Sequence, residues 1–374
     1  MELSFEAWIK IGVALVVALI ISFAVTPIIK TFAKQVGAID VPDNKRHIHK
    51  QPIPRMGGLA IFIGFLFAVL LFADINQKGV FGVLLGAIMI VVVGALDDVL
   101  NLNAWLKFGV QILAAVVAVL SGVLIDFVTN PLIMSEGKIV LTGILAVPIT
   151  ILWIVGVTNS VNLIDGLDGL ACGVSAIASM TMLVISMLVS DSNVNISVIL
   201  AALTGACLGF IPYNLNPAKI FMGDTGALLL GYVLATVSVL GMFKTAAIVT
   251  FVVPVLAMAV PLSDTAFAFI RRLSRGQSPF HADRGHFHHR LLDMGLNQKQ
   301  AVAVLYAVSA ILGLTAVVIV SQGPLTIVVA AFAFIIAGAT WLSVFRKNPN
   351  IHVHHTEAAA ESEASEEEKC EKSE

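Results

Sequence analysis

The chain has 374 residues, of which 58% are hydrophobic and only 12% charged, with a formal net charge of -2 at pH 7. Soluble domains carry about 25% charged residues, so this composition excludes an ordinary soluble protein and puts most of the chain in lipid. The near-neutral sum hides a segregation, because Lys and Arg gather in a few loops while Glu crowds the last residues.

A bilayer core of roughly 30 Å needs about 20 apolar residues per spanning helix. Runs of that kind lie near Trp8 to Ile29, Gly57 to Phe72, Val80 to Leu96, Ala104 to Ile125 and Leu141 to Val157. They continue at Leu170 to Val189, Ile196 to Pro212, Gly226 to Met242, Ala246 to Ile270, Ala301 to Val320 and Leu325 to Phe345. The expected fold is all-α, a polytopic membrane helical bundle of about 11 transmembrane helices. The first run follows Glu2 and Glu6, lacks a basic leader and passes Thr26-Pro27 without a small-residue cleavage site, so it reads as a retained helix. Cys172 and Cys207 fall in apolar runs and Cys370 in the tail, with no CxxC spacing, so neither disulfides nor structural zinc is expected.

Loop charges set the expected orientation. Lys30, Lys34, Lys45, Arg46, Lys50 and Arg55 share one connection; Arg271, Arg272, Arg275, Arg284, Arg290 and Lys299 share a later one on the same side. By the positive-inside rule these are cytoplasmic, with the N-terminus outside and the C-terminus inside. One membrane domain over 1–348 then carries cytoplasmic loops 30–56, 97–104, 158–169, 213–225 and 271–300. The Glu- and Ser-rich tail at 349–374 has too few apolar residues to fold alone.

The polar clusters all fall on that cytoplasmic side, which points to one site. Asp97-Asp98 ends an apolar run, where two adjacent carboxylates are either a solvated helix end or a pair bridged by a cation. In NSVNLIDGLDGLA, Asn159, Asn162, Asp165 and Asp168 recur every three residues and form a polar strip, while Gly166 and Gly169 leave the backbone open to a ligand or serve a plain loop-to-helix entry. PYNLNPAKIFMGDTGA sets Asp224 at the start of a span beside Asn214, Asn216 and Lys219; helix capping or metal ligation would each use an aspartate there. HADRGHFHHRL brings His281, Asp283, Arg284, His286, His288, His289 and Arg290 into the longest cytoplasmic loop, as an anion cradle or, on the rival reading, a zinc site. The first basic loop serves either topology control with attraction to anionic membrane lipid or phosphate binding. Asp264, in PLSDTAFAFIRR, lies toward the cytoplasmic end of its run and reads as support for the site.

Together LDDVLNL, NSVNLIDGLDGLA, KIFMGDTGALLLGY and HADRGHFHHRLLDMGL resemble the polyprenyl-phosphate N-acetylhexosamine-1-phosphate transferases, from about Val25 to Gly295. The HADRxHxHHRL pattern is similar to the members that use UDP-N-acetylglucosamine, with Phe287 in place of the more usual Ile. Among bacterial branches the chain most resembles the transferases that begin wall teichoic acid or similar envelope polymers.

The resemblance implies a cytoplasmic-membrane enzyme that takes Mg2+, with Mn2+ as an alternative, and moves N-acetylglucosamine-1-phosphate from UDP-N-acetylglucosamine to undecaprenyl phosphate. It implies Asp97, Asp98 and Asp224 as catalytic, with Asp224 and Asp98 on the metal. Asn159, Asn162, Asp165, Asp168, Asn214, Lys219 and Asp264 would line the substrate site, with Asn162, Asp165 and Asp168 on its nucleotide side. His286, His288, His289 and Arg290 would meet the donor, and Lys45 and Arg55 the lipid phosphate. No nucleic-acid partner is expected, and a homodimer stays open. Direct attack by the lipid phosphate and a covalent phospho-aspartate on Asp98 are both compatible with the sequence. The rival classes are the phospho-MurNAc-pentapeptide transferase and a secondary transporter, the latter requiring ionisable groups at midplane in paired broken helices.

Overall fold

A computed structural model describes residues 4–42, 52–125, 127–129, 138–140, 143–188, 193–242, 249–274 and 286–320, with 333 and 335. Lys45, the 275–285 stretch, most of the expected 325–345 span and the acidic tail lie outside the described residues. The helices in chain order are α1 (Phe5–Gln35), α2 (Gly58–Phe72), α3 (Val80–Leu100), α4 (Ala104–Leu120), α5 (Gly143–Leu163) and α6 (Leu170–Leu188). There follow α7 (Val194–Asn214), α8 (Gly223–Val237), α9 (Val249–Ala257), α10 (Ala259–Ser274), α11 (Phe287–Asp293) and α12 (Gln298–Val320). The chain is a polytopic helical membrane protein: seven of the described helices are long and apolar enough to cross a bilayer, and α2 and α4 are shorter apolar helices.

The helices follow the apolar runs but outlast them at one end. α3 continues through Asp97 and Asp98, and α5 continues through Asn159 and Asn162, so the polar residues expected in loops ride on rigid helix ends. The expected run from Ala246 to Ile270 is two helices, α9 and α10, broken near Met258 with Pro254 and Pro261 on either side. Two short antiparallel pairs, absent from the sequence reading, are present among the described residues: β1 (Ile39–Asp40) with β2 (Ile53–Pro54), and β3 (Phe127–Thr129) with β4 (Lys138–Val140).

α8 is the hub. It is apolar all round and buried along nearly its whole length, as a helix enclosed by other helices must be. Small residues let its neighbours approach: a Cβ on Gly94 of α3 would lie 2.6 Å from Thr225 Cα, and one on Gly231 would lie 2.6 Å from Thr158 Cα of α5. Hydroxyl pairs join α6 to α7 through Ser179 with Thr204 at 2.8 Å and Ser186 with Ser197 at 2.9 Å. The segment before α2 is fastened to the entry of α8 by backbone bonds, with Gly57 N–H donating to Phe221 at 2.9 Å and Phe221 N–H to Pro54 at 2.8 Å. In consequence the C-terminal ends of α3, α5 and α7 and the N-terminal ends of α4, α8 and α12 meet at one end of the bundle.

Candidate active site

The entry of α8 is the centre of that end. A helix N-terminus leaves its first N–H groups without partners inside the helix, and the residue before α8, Met222, has no side chain able to cap them. The cap comes from α3. Asp98 is 2% exposed; its Oδ1 accepts from Asp224 N–H at 3.0 Å, and its Oδ2 accepts from Thr225 N–H at 3.2 Å and from the Thr225 hydroxyl. Gly223, at φ +70°, allows the approach, since a Cβ there would sit 2.4 Å from Asp98 Oδ2. Asp98, expected as a catalytic residue and metal ligand, is thus engaged chiefly in holding two helices together, with one acceptor position left on Oδ1.

Asp224 is thereby released from capping. It lies in the first turn of α8, where the macrodipole favours a negative charge. Its Oδ2 accepts from Lys107 Nζ at 2.8 Å, and its Oδ1 from Asn162 Nδ2 at 3.2 Å. The same ammonium donates to Asp97 Oδ2 at 3.0 Å, while Asp97 Oδ1 accepts from Leu102 N–H at 2.7 Å. Asp97, Asp224 and Lys107 are therefore one ionic bridge joining α3, α4 and α8.

Sequence reasoning missed Lys107. The signal was present: a lone lysine one turn into an apolar helix is costly unless an anion meets it. Gln111, one turn further along α4, was missed as well; its Oε1 accepts from Asn159 Nδ2 at 2.6 Å.

Asp165 and Asp168 occupy the turn between α5 and α6. No hydrogen bond reaches the Asp165 carboxyl from the described residues, and burial, with Asp224, Asp98 and Asp168 nearby, pushes its pKa up to about 8. Asp168 faces the 215–222 segment, its Oδ2 accepting from Asn216 Nδ2 at 2.9 Å and Ala218 N–H at 3.0 Å. Asn214 donates to the Ile220 carbonyl at 3.1 Å, and its Oδ1 is buried without a donor among the described residues. Lys219 is exposed, with its ammonium 5.9 Å above the Tyr213 ring.

The histidines form one wall of the site. Asp264 of α10 accepts from His286 Nδ1 at 2.8 Å and from Phe287 N–H at 2.7 Å, so its carboxylate ties the start of α11 to α10. His288 is 3% exposed and abuts the Asp165–Asp168 turn, since a Cβ on Gly166 would lie 2.5 Å from His288 Nε2. Burial, then His289 beside it, lowers the His288 pKa to about 4 and keeps the ring neutral at pH 7. His289 packs 4.3 Å from His288, and Arg290 points to solvent.

Arg55, expected to meet the lipid phosphate, lies at the end of α3. Its Nε donates to the Asp98 carbonyl at 2.9 Å and an Nη to Asn101 Oδ1 at 2.6 Å, so the guanidinium splints the end of α3.

Beside the polar cluster an open apolar groove of about 590 Å³ runs between α5 and α10, lined by Leu152, Trp153, Gly156, Leu262, Ala266 and Phe269, with Ser160 among its lining residues. Its walls fit a hydrocarbon chain, and no sequence feature singled it out.

The matches to known proteins agree with this geometry. Residues 80–242, which span α3 through the end of α8, match the model described as glycosyl transferase family 4. The probable undecaprenyl-phosphate N-acetylglucosaminyl 1-phosphate transferase of Bacillus subtilis is 41% identical over 316 residues, covering 84% of this chain and 87% of that protein. The decaprenyl-phosphate N-acetylglucosaminephosphotransferase of Mycolicibacterium smegmatis is 34% identical over 360 residues, with 89% and 88% covered. A phospho-N-acetylmuramoyl-pentapeptide-transferase of Staphylococcus epidermidis is 32% identical over 317 residues, with 80% and 96% covered. The motifs at Asp97-Asp98, Asn159 to Asp168 and Asp224, joined in space through Lys107 and Asn162, and the length of these matches lead to one statement: the chain belongs to glycosyl transferase family 4.

Proposed function

We propose that this protein transfers N-acetylglucosamine-1-phosphate from UDP-N-acetylglucosamine to undecaprenyl phosphate and releases UMP, as the first membrane step of wall teichoic acid or a related envelope polysaccharide. The observation that carries it is the Lys107 bridge between Asp97 and Asp224, set against the Asn162–Asp168 strip at one end of the bundle. The 41% identity with the Bacillus subtilis relative supports the choice of sugar and lipid. We assign this end to the cytoplasmic face of a bacterial membrane, with eleven spans and the N-terminus outside, an orientation that the basic residues of the flanking loops support.

An oxygen of the polyprenyl phosphate attacks the β-phosphorus of the donor. The bond from that phosphorus to the bridging oxygen breaks, and UMP leaves with the electron pair. A phosphomonoester has a second pKa of about 6, so at pH 7 the attacking group is mostly a dianion and needs no carboxylate base. The work left to the protein is to align two anions and neutralise their charge. The α5–α10 groove would hold the polyprenyl tail. Lys107 supplies positive charge at the polar end, and Asn162 fixes the Asp224 carboxylate through Oδ1.

The residues fit a hard divalent cation. The donors are carboxylate and amide oxygens, and Asp224, Asp98 and Asp168, which add to burial in raising Asp165 to about 8, are an excess of negative charge that such an ion relieves. Among the described residues no three His, Cys, Asp or Glu side chains form a metal cage. Magnesium does not require one, because it takes one or two carboxylates and completes its shell with water and phosphate oxygens. Asp224 is our assignment for its holder, with the free position on Asp98 as the second ligand and manganese as a substitute. Bound there, the ion would neutralise the diphosphate and polarise the β-phosphorus.

Purified enzyme in detergent, given undecaprenyl phosphate, magnesium and either radiolabelled UDP-N-acetylglucosamine or UDP-MurNAc-pentapeptide, tests the reading. Label entering lipid from the first donor alone is the expected result. Label from the second alone assigns the chain to peptidoglycan synthesis, the reading favoured by the 32% match to a pentapeptide transferase.

A further inference from the structure

We propose that Gln298, the first residue of α12, is a positioning residue for the nucleotide sugar, acting by fixing the carboxamide of Asn216 so that one of its N–H groups is held on Asp168. The inference rests on the assignment of Asp168 to the donor side of the site.

Asn216 Nδ2 serves two acceptors. One is Asp168 Oδ2 at 2.9 Å; the other is Gln298 Oε1 at 2.6 Å. A carboxamide is nearly symmetric in shape but not in chemistry, since one end donates twice and the other only accepts. With two acceptor oxygens on the nitrogen side, a flipped amide would set its own oxygen against both, and the two-donor orientation is the one that satisfies all three groups. Removing Gln298 leaves one N–H to water and lets the amide turn about its last torsion, so the acceptor geometry at Asp168 loosens.

The same helix braces the other end of this turn. Two turns along α12 the Tyr306 hydroxyl donates to the carbonyl of Gly169, a residue at φ +80° that follows Asp168 directly. α12 therefore grips the Asp165–Gly169 turn from both sides. Gln298 lies outside residues 80–242, the segment matched to the family, and none of the motifs read from the sequence includes it. It is half-buried and touches neither the Lys107 bridge nor the apolar groove, so its effect should fall on one substrate only.

The test is steady-state kinetics of lipid labelling by wild type, Q298A, N216A and the double variant, varying UDP-N-acetylglucosamine and undecaprenyl phosphate in turn. Loss of one hydrogen bond predicts a donor KM about three- to tenfold higher in Q298A, with acceptor KM and kcat within about twofold. The double variant should show no higher donor KM than N216A, because Gln298 acts through Asn216 alone. An unchanged donor KM, an equal rise in acceptor KM, additive effects, or loss of the fold in Q298A each overturns the proposal. A wild-type enzyme that labels no lipid removes the functional reading and this inference together; an active wild type with an unaffected Q298A removes this inference only.

Discussion

Replacing Asp98 separates a structural fastening from a chemical role. Three hydrogen bonds from the entry of α8 end on its carboxylate, two from backbone N–H groups and one from the Thr225 hydroxyl, and the residue is 2% exposed. Bonds to a charged acceptor contribute about 1.5–3 kcal/mol each, and a buried donor left unpaired costs about 1–3 kcal/mol. Asp98→Ala should therefore cost about 4.5–9 kcal/mol, a fall in Tm of at least about 10 °C. Asp98→Asn keeps one acceptor oxygen but turns an NH2 toward a donor, so it should lose roughly half as much and retain measurable activity. Thermal unfolding in detergent beside lipid labelling reads both quantities. Full stability in Asp98→Ala would refute the fastening, and a fully stable but inactive Asp98→Asn protein would show that the carboxylate serves the metal alone.

Lys107→Met removes the one ammonium shared by Asp97 and Asp224, and kcat should fall by about 10²–10³, as when a preorganised charge is deleted; activity within tenfold of wild type would show that Lys107 is dispensable. His288 titrates near 4 when folded, against an ordinary value near 6.5. Between those values the unfolded chain binds the proton that the folded one refuses, so stability present above pH 6.5 is lost as pH falls toward 4, by at most about 3 kcal/mol. Urea unfolding at pH 6.5 and 4.5 should show a smaller pH difference in His288→Asn than in wild type, and equal differences would contradict the burial argument. Asp165, at about 8, is mostly protonated at pH 7. Magnesium titration should therefore release a proton, seen in calorimetry as a heat that depends on the buffer's ionisation enthalpy; a buffer-independent heat would separate Asp165 from the ion.

The membrane helices were legible because lipid leaves so few solutions: an apolar run of sufficient length must be a helix, and the run ending near Phe72 ends there in the structure. The convergence of Asp97, Asp98, Asn162 and Asp224 was legible too, since alternating spans return every second connection to the same face. What hydropathy cannot read is how far a helix continues into the polar zone, and so Asp97 and Asn162 were expected in loops. Nor can it read a cap supplied by another helix. Asp224 stands where a capping residue would, yet Asp98 of α3 does the capping and leaves Asp224 free to meet Lys107. Arg55 shows the same limit: its charge was visible, its engagement with Asn101 was not.

The most direct test of the central claim is the identity of the released nucleotide, quantified by chromatography against lipid product while UDP-N-acetylglucosamine and undecaprenyl phosphate are consumed with and without magnesium. The account predicts one UMP per polyprenyl diphosphate N-acetylglucosamine formed, and none of either once the metal is chelated. Release of UDP instead would mean that the sugar moves without its phosphate, and would contradict attack at the β-phosphorus.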